Sequence, residues 1–293
     1  MRIGIVSVRD AAYHPNQRLM EAAQQRGHDA SLINPYALRP LMRGGQLGFG
    51  PNPEGPRPDV VIPRQGALVS DPNLAYVRQL ELAGVALLNR AQPIAIARDK
   101  FHTMQCLTAA GLPVPDSILC NHRDTLAACA ASVGAFPLVV KQTRSRQGSG
   151  VWLAESLREL EALVDRDLEP KQGFLLQRFV PIQGRRDIRV LVLGGAAVAA
   201  MDVVAAPGDF RANIHRGGRG GGVPVAADLR RLAERAAHCI GLDLAGVDLL
   251  VDRDGSPYLL EVNYAPGFRG LEQATGLDVA AMIVRHLETE YSP

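Results

Sequence analysis

Apolar and polar positions in the first part of the chain follow two different periods. Residues 3–6 are a continuous apolar run, residues 15–26 repeat with the 3.6-residue period of an amphipathic helix, and residues 30–33 are apolar again. This order predicts strand, helix, strand, with parallel strands joined by a right-handed crossover and Gly27 ending the helix in a left-handed turn. Residues 35–58 are rich in Gly and Pro and read as a long surface loop before a further strand at residues 59–62. A three-layer α/β domain over residues 1–95 follows.

Beyond Asn89 the pattern changes. Phe101, Met104, Leu107 and Thr108 fall on one helical stripe, Gly111 closes that helix, and Pro113 and Pro115 impose an extended exit. A helix at residues 125–133 then precedes the apolar strand PLVVK, which ends at Lys141, the loop 142–150 and a strand at 151–153. A phosphate-binding P-loop opens a helix, so a glycine loop between two strands reads instead as a flap over a ligand. Strands at 174–180, 188–193 and 196–204 follow, the last two joined by a tight Gly194–Gly195 turn. A polar loop at 207–222 leads to an amphipathic helix at 228–239, and strands at 245–251 and 258–262 flank the turn RDGS. A helix at 279–290 closes the chain. These elements predict a mostly antiparallel sheet packed on helices. The fold class is α/β followed by α+β.

Composition narrows the classes of function. The 293 residues are 47% hydrophobic and 21% charged, enough for a sizeable core, and 32 basic residues nearly balance 30 acidic ones. Net charge therefore gives no reason to expect a bulk nucleic-acid or membrane-surface partner. The amino-terminal segment lacks the pattern of a signal peptide, and no apolar run approaches the roughly 18 residues of a membrane helix. Cys106, Cys120, Cys129 and Cys239 are scattered, which fits buried thiols in a reducing cytoplasm.

Candidate chemistry concentrates near the carboxyl end. Asp248 sits among apolar residues in AGVDLLV, and in YLLEVN the period of two puts Glu261 and Asn263 on one face. The intervening turn makes a hairpin that brings Asp248 near that face. Buried carboxylates are costly unless paired or metal-bound, and this oxygen set suits Mg²⁺ or Mn²⁺ on nucleotide phosphates. An edge strand with its polar side in water has the same pattern. Lys100 and Lys141 are candidates for the phosphates, and Gly148 and Gly150 free the backbone after Lys141 to present N–H groups. Asp187, Arg189, Arg211 and Asn213 form a further group, with Arg189 at an inward-facing position that calls for an anionic partner. The tract GGRGGG also reads as a short RNA-binding segment, but it lacks interleaved aromatics.

The ordered segments resemble an ATP-grasp ligase, most closely the RimK family of glutamate ligases. The carrying segments are MRIGIVSVRD, DVVIPRQG, AIARDKFHTMQCLTAAGLPVP, PLVVKQTRSRQGSGV, RDIRVLV, DFRANIHRGG, AGVDLL and LLEVNYAPGFRGLEQATGLDVA, which span almost the whole chain. The resemblance implies an ATP-grasp fold: an α/β pre-ATP-grasp domain at 1–95, then two α+β subdomains at 96–178 and 179–293 with the nucleotide between them. It further implies Lys100 and Lys141 on phosphates, Asp187 on the ribose, and Arg211, Ala212 and Asn213 near the γ-phosphate. Adenine would meet the backbone at Arg178 and Phe179. Two magnesium or manganese ions would be held, one by Asp248 and Glu261, the other by Glu261 and Asn263.

The implied reaction forms an acyl phosphate from a substrate carboxylate and ATP, then an amide with an amine. Arg189 and Arg211 would be its catalytic residues, stabilising charge on the transferring group and on the tetrahedral intermediate. L-glutamate is the expected amine. The expected acceptor is the carboxylate of a protein C-terminus, a peptide or a small acidic molecule, received by arginines such as Arg9 and Arg64. A cytoplasmic homo-oligomer is expected. A kinase that stops after phosphoryl transfer and a non-catalytic ATP-binding module are the competing readings. The sequence departs from the family at Arg178, where a glutamate is usual, and in a flap made more basic by Arg144 and Arg146.

Overall fold

The computed structural model describes residues 1–37, 39–50, 57–64, 71–144, 150–167, 173–181, 183–205, 210, 219–222, 224 and 226–291. A parallel sheet forms first, in the order β2-β1-β5-β6, from β1 (Arg2–Val6), β2 (Asp29–Ile33), β5 (Val60–Pro63) and β6 (Ala86–Leu87). Helix α1 (His14–Gln25) makes the crossover from β1 to β2, and Gly27 follows it at φ +77°, as its sequence predicts.

The stretch 35–58 is more than a loop. It contains the hairpin β3 (Arg39–Arg43) and β4 (Gln46–Gly50), turning at Gly44 and Gly45 with φ of +57° and +74°. Both central residues are left-handed, which glycine alone adopts cheaply, and this glycine pair is the hairpin signal that overrides the loop reading. The hairpin rests on α2 (Asp71–Leu82) through the Phe49 and Tyr76 rings and through Gln79, which donates to the Leu41 and Gly48 carbonyls.

Helices α3 (Ala91–Ala97) and α4 (Lys100–Ala109) lead into an antiparallel sheet in the order β7-β10-β8-β9. Its strands are β7 (Ser117–Cys120), β8 (Leu138–Gln142), β9 (Val151–Ala154) and β10 (Phe174–Arg178). On α4, Met104 and Leu107 are buried as predicted, but Thr108 faces solvent. Thr103 is buried instead, because its hydroxyl can donate back to the Ile96 and Asp99 carbonyls. Cys120, Leu138, Val140, Phe174 and Leu176 face α5 (Leu126–Val133) and α6 (Leu157–Asp167) in one apolar cluster. Alternation then puts Val139, Lys141, Leu175 and Gln177 on the opposite face.

The last sheet is antiparallel, in the order β13-β12-β11-β14-β15. It comprises β11 (Arg186–Leu193), β12 (Ala196–Val204), β13 (Arg219–Gly222), β14 (Leu244–Val251) and β15 (Pro257–Asn263). Gly194 and Gly195 make the β11–β12 turn with φ of +58° and +77°. β13 lies inside the stretch read as a polar loop. Its glycines have no strand propensity, and at Gly222 the Ala274 carbonyl leaves no space for a Cβ. Helix α7 (Ala227–Ile240) packs with Val190, Val192, Ala245 and Val247. Helices α8 (Arg269–Thr275) and α9 (Val279–Tyr291) pack with Leu191, Leu193, Met201 and Leu244 of the other face.

Asn89 fastens the first sheet to the last. Its amide donates to the Leu244 and Tyr264 carbonyls at 2.7 and 2.9 Å and accepts from the Asp243 and Leu244 N–H groups at 2.8 and 2.9 Å. Among the described residues, no helix is long and apolar enough to cross a membrane.

Candidate functional site

Register places a row of charge across three adjacent strands. Arg189 of β11 is the cross-strand partner of Asp248 on β14, and Asp248 is in turn the partner of Glu261 on β15. Cross-strand partners project from the same face, so the three side chains stand side by side. The row begins where the apolar face of Leu191, Leu193 and Met201 stops, since Asp187, Arg189 and Leu191 alternate along β11. A bulge between Asp248 and Leu249 sets Leu249 opposite Leu259, and the extra residue Leu260 comes immediately before Glu261. Such bulges re-aim side chains, and this one restores the pairing of Glu261 with Asp248.

Arg189 grips Asp248 with two contacts of 2.6 Å, from Nε to Oδ1 and from Nη2 to Oδ2. The attraction of Asp248 outweighs burial and raises the guanidinium pKa further above its ordinary value. Asn263 pairs with Gly246, and its Oδ1 accepts from the Ala265 N–H at 3.0 Å. Two carboxylates and an amide oxygen are hard donors, and each oxygen named keeps a second acceptor site after these contacts. The set fits Mg²⁺, which takes one or two carboxylates and fills its octahedron with water and substrate phosphates.

The antiparallel sheet β7-β10-β8-β9 supplies positive charge. Lys141 Nζ donates to Gln177 Oε1 at 2.6 Å, the Gln177 amide donates to Ser117 Oγ at 2.9 Å, and Ser117 Oγ donates to the Pro115 carbonyl at 2.7 Å. This relay fixes which end of the Gln177 amide meets the lysine. Burial, with the like charge of Lys100 next, lowers the Lys141 pKa to about 8, against the pull of Glu261 and Asp248. Glu261 and Asp248 thus lie close enough to Lys141 to act on its charge. Lys100 starts α4, and its backbone N–H donates to the Thr143 carbonyl at 2.9 Å.

Asp187 is held by Arg185, whose Nε reaches Oδ2 at 2.9 Å while Nη1 and Nη2 donate to the Val180 and Phe210 carbonyls. Burial raises the Asp187 pKa. Phe179 meets the Phe210 ring edge to face at 6.3 Å. Arg178 bridges two sheets: its guanidinium lies 5.1 Å from the centre of the Tyr258 ring, and its Nε is 3.2 Å from Asp116 Oδ2. Arg144 Nε stands 3.5 Å from Asp99 Oδ2. Arg146, Gly148, Arg211, Ala212 and Asn213 lie outside the described residues.

Gln177 and Arg185 are absent from the sequence-derived set. A polar residue inside the apolar strand FLLQR was the available signal for Gln177. Arg185, in GRRDIR, has the composition of a solvated loop and offered none.

Residues 97–287 match the RimK-like ATP-grasp domain family and residues 1–94 match the RimK PreATP-grasp domain family. A probable alpha-L-glutamate ligase of Marinomonas sp. (strain MWYL1) is 37% identical over 289 residues, covering 98% of this chain and 95% of that protein. Another, from Syntrophotalea carbinolica, is 38% identical over 303 residues, covering 100% and 97%. Among solved structures, the RimK domain protein ATP-grasp from Sphaerobacter thermophilus is similar with a TM-score of 0.76 at 24% identity, covering 98% of this chain and 99% of that one. The ATP-grasp ligase PsnB, solved with minimal precursor, Mg and ADP, has a TM-score of 0.71 at 20% identity, covering 99% and 97%.

Proposed function

Because the chain belongs to the RimK-like ATP-grasp family of ligases, we propose that it adds L-glutamate to an acceptor carboxylate, with ATP converted to ADP and phosphate. The observation that carries this reading is the cross-strand row Arg189–Asp248–Glu261, with Lys141 of another sheet close enough to feel the charge of Glu261 and Asp248. A polyphosphate between them meets cations on one side and metal-binding oxygens on the other.

The acceptor carboxylate attacks the γ-phosphorus, ADP leaves, and an acyl phosphate forms. The glutamate amine then attacks the acyl carbon, loses a proton and expels phosphate. Positioning and neutralisation of charge are the main demands of the first step. Asp248, Glu261 and Asn263 would hold Mg²⁺, which would supply part of that neutralisation. Lys141 is held on the phosphates by Gln177, and Lys100 adds a second ammonium. Arg189, steadied by Asp248, stabilises negative charge on the phosphoryl group and on the tetrahedral carbon. The backbone at Arg178 and Phe179 receives adenine, and Asp187, held by Arg185, receives the ribose. The family resemblance assigns Arg211, Ala212 and Asn213, which lie outside the described residues, to the γ-phosphate. Asp248 with Glu261 would hold one ion, and Glu261 with Asn263 a second.

The test is an ADP-release screen that crosses amino acids with acidic acceptors, followed by product mass. The expected result is release dependent on both substrates and a product heavier by one or more glutamyl residues. Trapping by hydroxylamine separates an acyl phosphate from the stable product of a kinase. Full ADP release by Glu261→Gln would remove the metal assignment.

A further inference from the structure

Three of the six large apolar side chains exposed among the described residues, Tyr36, Met42 and Leu47, lie on or just before the hairpin of β3 and β4. Met42 is 82% exposed and its cross-strand partner Leu47 is 41% exposed, so the two stand side by side on one face of the hairpin. Phe49 follows Leu47 on that face and rests on Tyr76 of α2. The hairpin is a two-stranded sheet, and among the described residues no further strand pairs with either of its edges.

The two edges differ in chemistry. A two-residue turn makes Arg43 and Gln46 a hydrogen-bonded pair, so alternation along the ladder turns the backbone groups of Leu47 and Phe49 out of β4 and those of Pro40 and Met42 out of β3. Among the described residues, no backbone hydrogen bond from outside the hairpin reaches these four residues. The β3 edge is guarded: Pro40 has no N–H to offer, and Arg39 and Arg43 are exposed cations. The β4 edge reads QLGFG, with neither proline nor charge. An unguarded edge is a template for another strand.

The β4 edge is also complementary to itself. Antiparallel pairing about a two-fold axis at Gly48 sets Leu47 opposite Phe49 of a second copy, and Phe49 opposite its Leu47, with four backbone hydrogen bonds. Gly48 then meets its own counterpart on the axis, at a non-hydrogen-bonded pair, where the two backbones come closest. The same operation on β3 loses two of the four bonds at Pro40 and sets Arg39 opposite Arg43 of the second copy, a like-charge pair. Pairing through β4 instead leaves the two β3 strands three strand spacings apart, about 14 Å, beyond the ~8 Å over which such exposed charges act. We propose that the protein associates through β4 into a two-fold symmetric dimer, with a second copy of this chain on that edge and with Leu47 and Phe49 of each copy covering those of the other. So short an edge buries less than the roughly 1,200 Å² of stable interfaces, so the dimer dissociates in the micromolar range. The inference is independent of the ligase reading, because no residue assigned to ATP or metal lies in the hairpin.

Sedimentation velocity on the full chain, from low to high micromolar concentration, tests it. The wild type is expected to pass from monomer to dimer as concentration rises. Leu47→Pro removes one outward N–H from each copy and no bond within the hairpin, and is expected to raise the Kd of the dimer about 30-fold, as loss of two hydrogen bonds does. Met42→Pro makes the same change on the outward edge of β3 and is expected to leave that Kd unchanged. At Gly48 an added Cβ would meet only Leu41, at ordinary contact distance. Gly48→Cys is therefore expected to give a disulfide-linked dimer on treatment with diamide, visible on a non-reducing gel, whereas the wild type with its four native cysteines is not. A wild type that stays monomeric throughout overturns the proposal, as does a dimer indifferent to Leu47→Pro or broken by Met42→Pro, or a Gly48→Cys protein that does not cross-link. If Leu47→Pro fails to fold by circular dichroism, Leu47→Lys takes its place by putting two ammonium groups beside the axis, and an unchanged Kd then overturns the proposal.

Discussion

Arg189 and Asp248 stand opposite one another in register on β11 and β14 and meet through two parallel contacts of 2.6 Å. The pair is mostly buried, with side chains 19% and 25% exposed. Removing one partner leaves the other charge buried, so Asp248→Asn should lower stability by about 2–4 kcal/mol. Replacing both, as Arg189→Met with Asp248→Leu, should recover most of that loss and still release no ADP. Urea unfolding and ADP release read together check both outcomes. A double variant as unstable as the single one would show that the pair does more than neutralise itself.

Lys141 makes stability depend on pH in a definite direction. Its pKa of about 8 in the folded protein lies below its ordinary 10.5. Between those values the unfolded chain binds more protons, so the lysine's contribution to stability rises with pH from about 8 to about 10.5. Below about 8 the cost of burying the ammonium is fully present. Lys141→Met should therefore be more stable than the wild type at pH 7 and lose most of that rise, as thermal melts across pH would show. A bound polyphosphate favours the ammonium, so AMP-PNP affinity should fall as pH increases above about 8.

On the proposed assignment, Gln177 would act on nucleotide through Lys141. Gln177→Leu removes the acceptor at 2.6 Å and leaves the Lys141 ammonium without it. Loss of one charge-assisted hydrogen bond predicts a KM for ATP raised about tenfold, with kcat changed far less. Initial rates at saturating acceptor measure the split. An equal fall in kcat and in kcat/KM would place Gln177 in the chemical step instead.

The Arg178 side chain is engaged with Tyr258 and Asp116. If adenine is read by the backbone, Arg178→Glu should alter ATP affinity by less than about threefold, a change near 0.6 kcal/mol. Calorimetry with AMP-PNP gives the answer. A large gain in affinity for Arg178→Glu would mean that the carboxylate reads the base.

Local pattern in the sequence determined much of this protein. Much of the strand and helix order, the Gly194–Gly195 turn and the alternation along β14 and β15 follow from period and turn chemistry, which depend on near neighbours, whereas α2, α6, α8 and β13 were not read from that pattern. The hairpin at residues 39–50 was legible too, through Gly44 and Gly45, but the surrounding Gly and Pro masked it. Tertiary structure alone decided the pairings. That Arg189 meets Asp248, that Gln177 holds Lys141, and that Arg64 is buried beside Pro266 depend on sheet register and on how the sheets pack. Period shows which way a side chain points, whereas its partner comes from a distant strand whose register is set by the burial of the whole sheet.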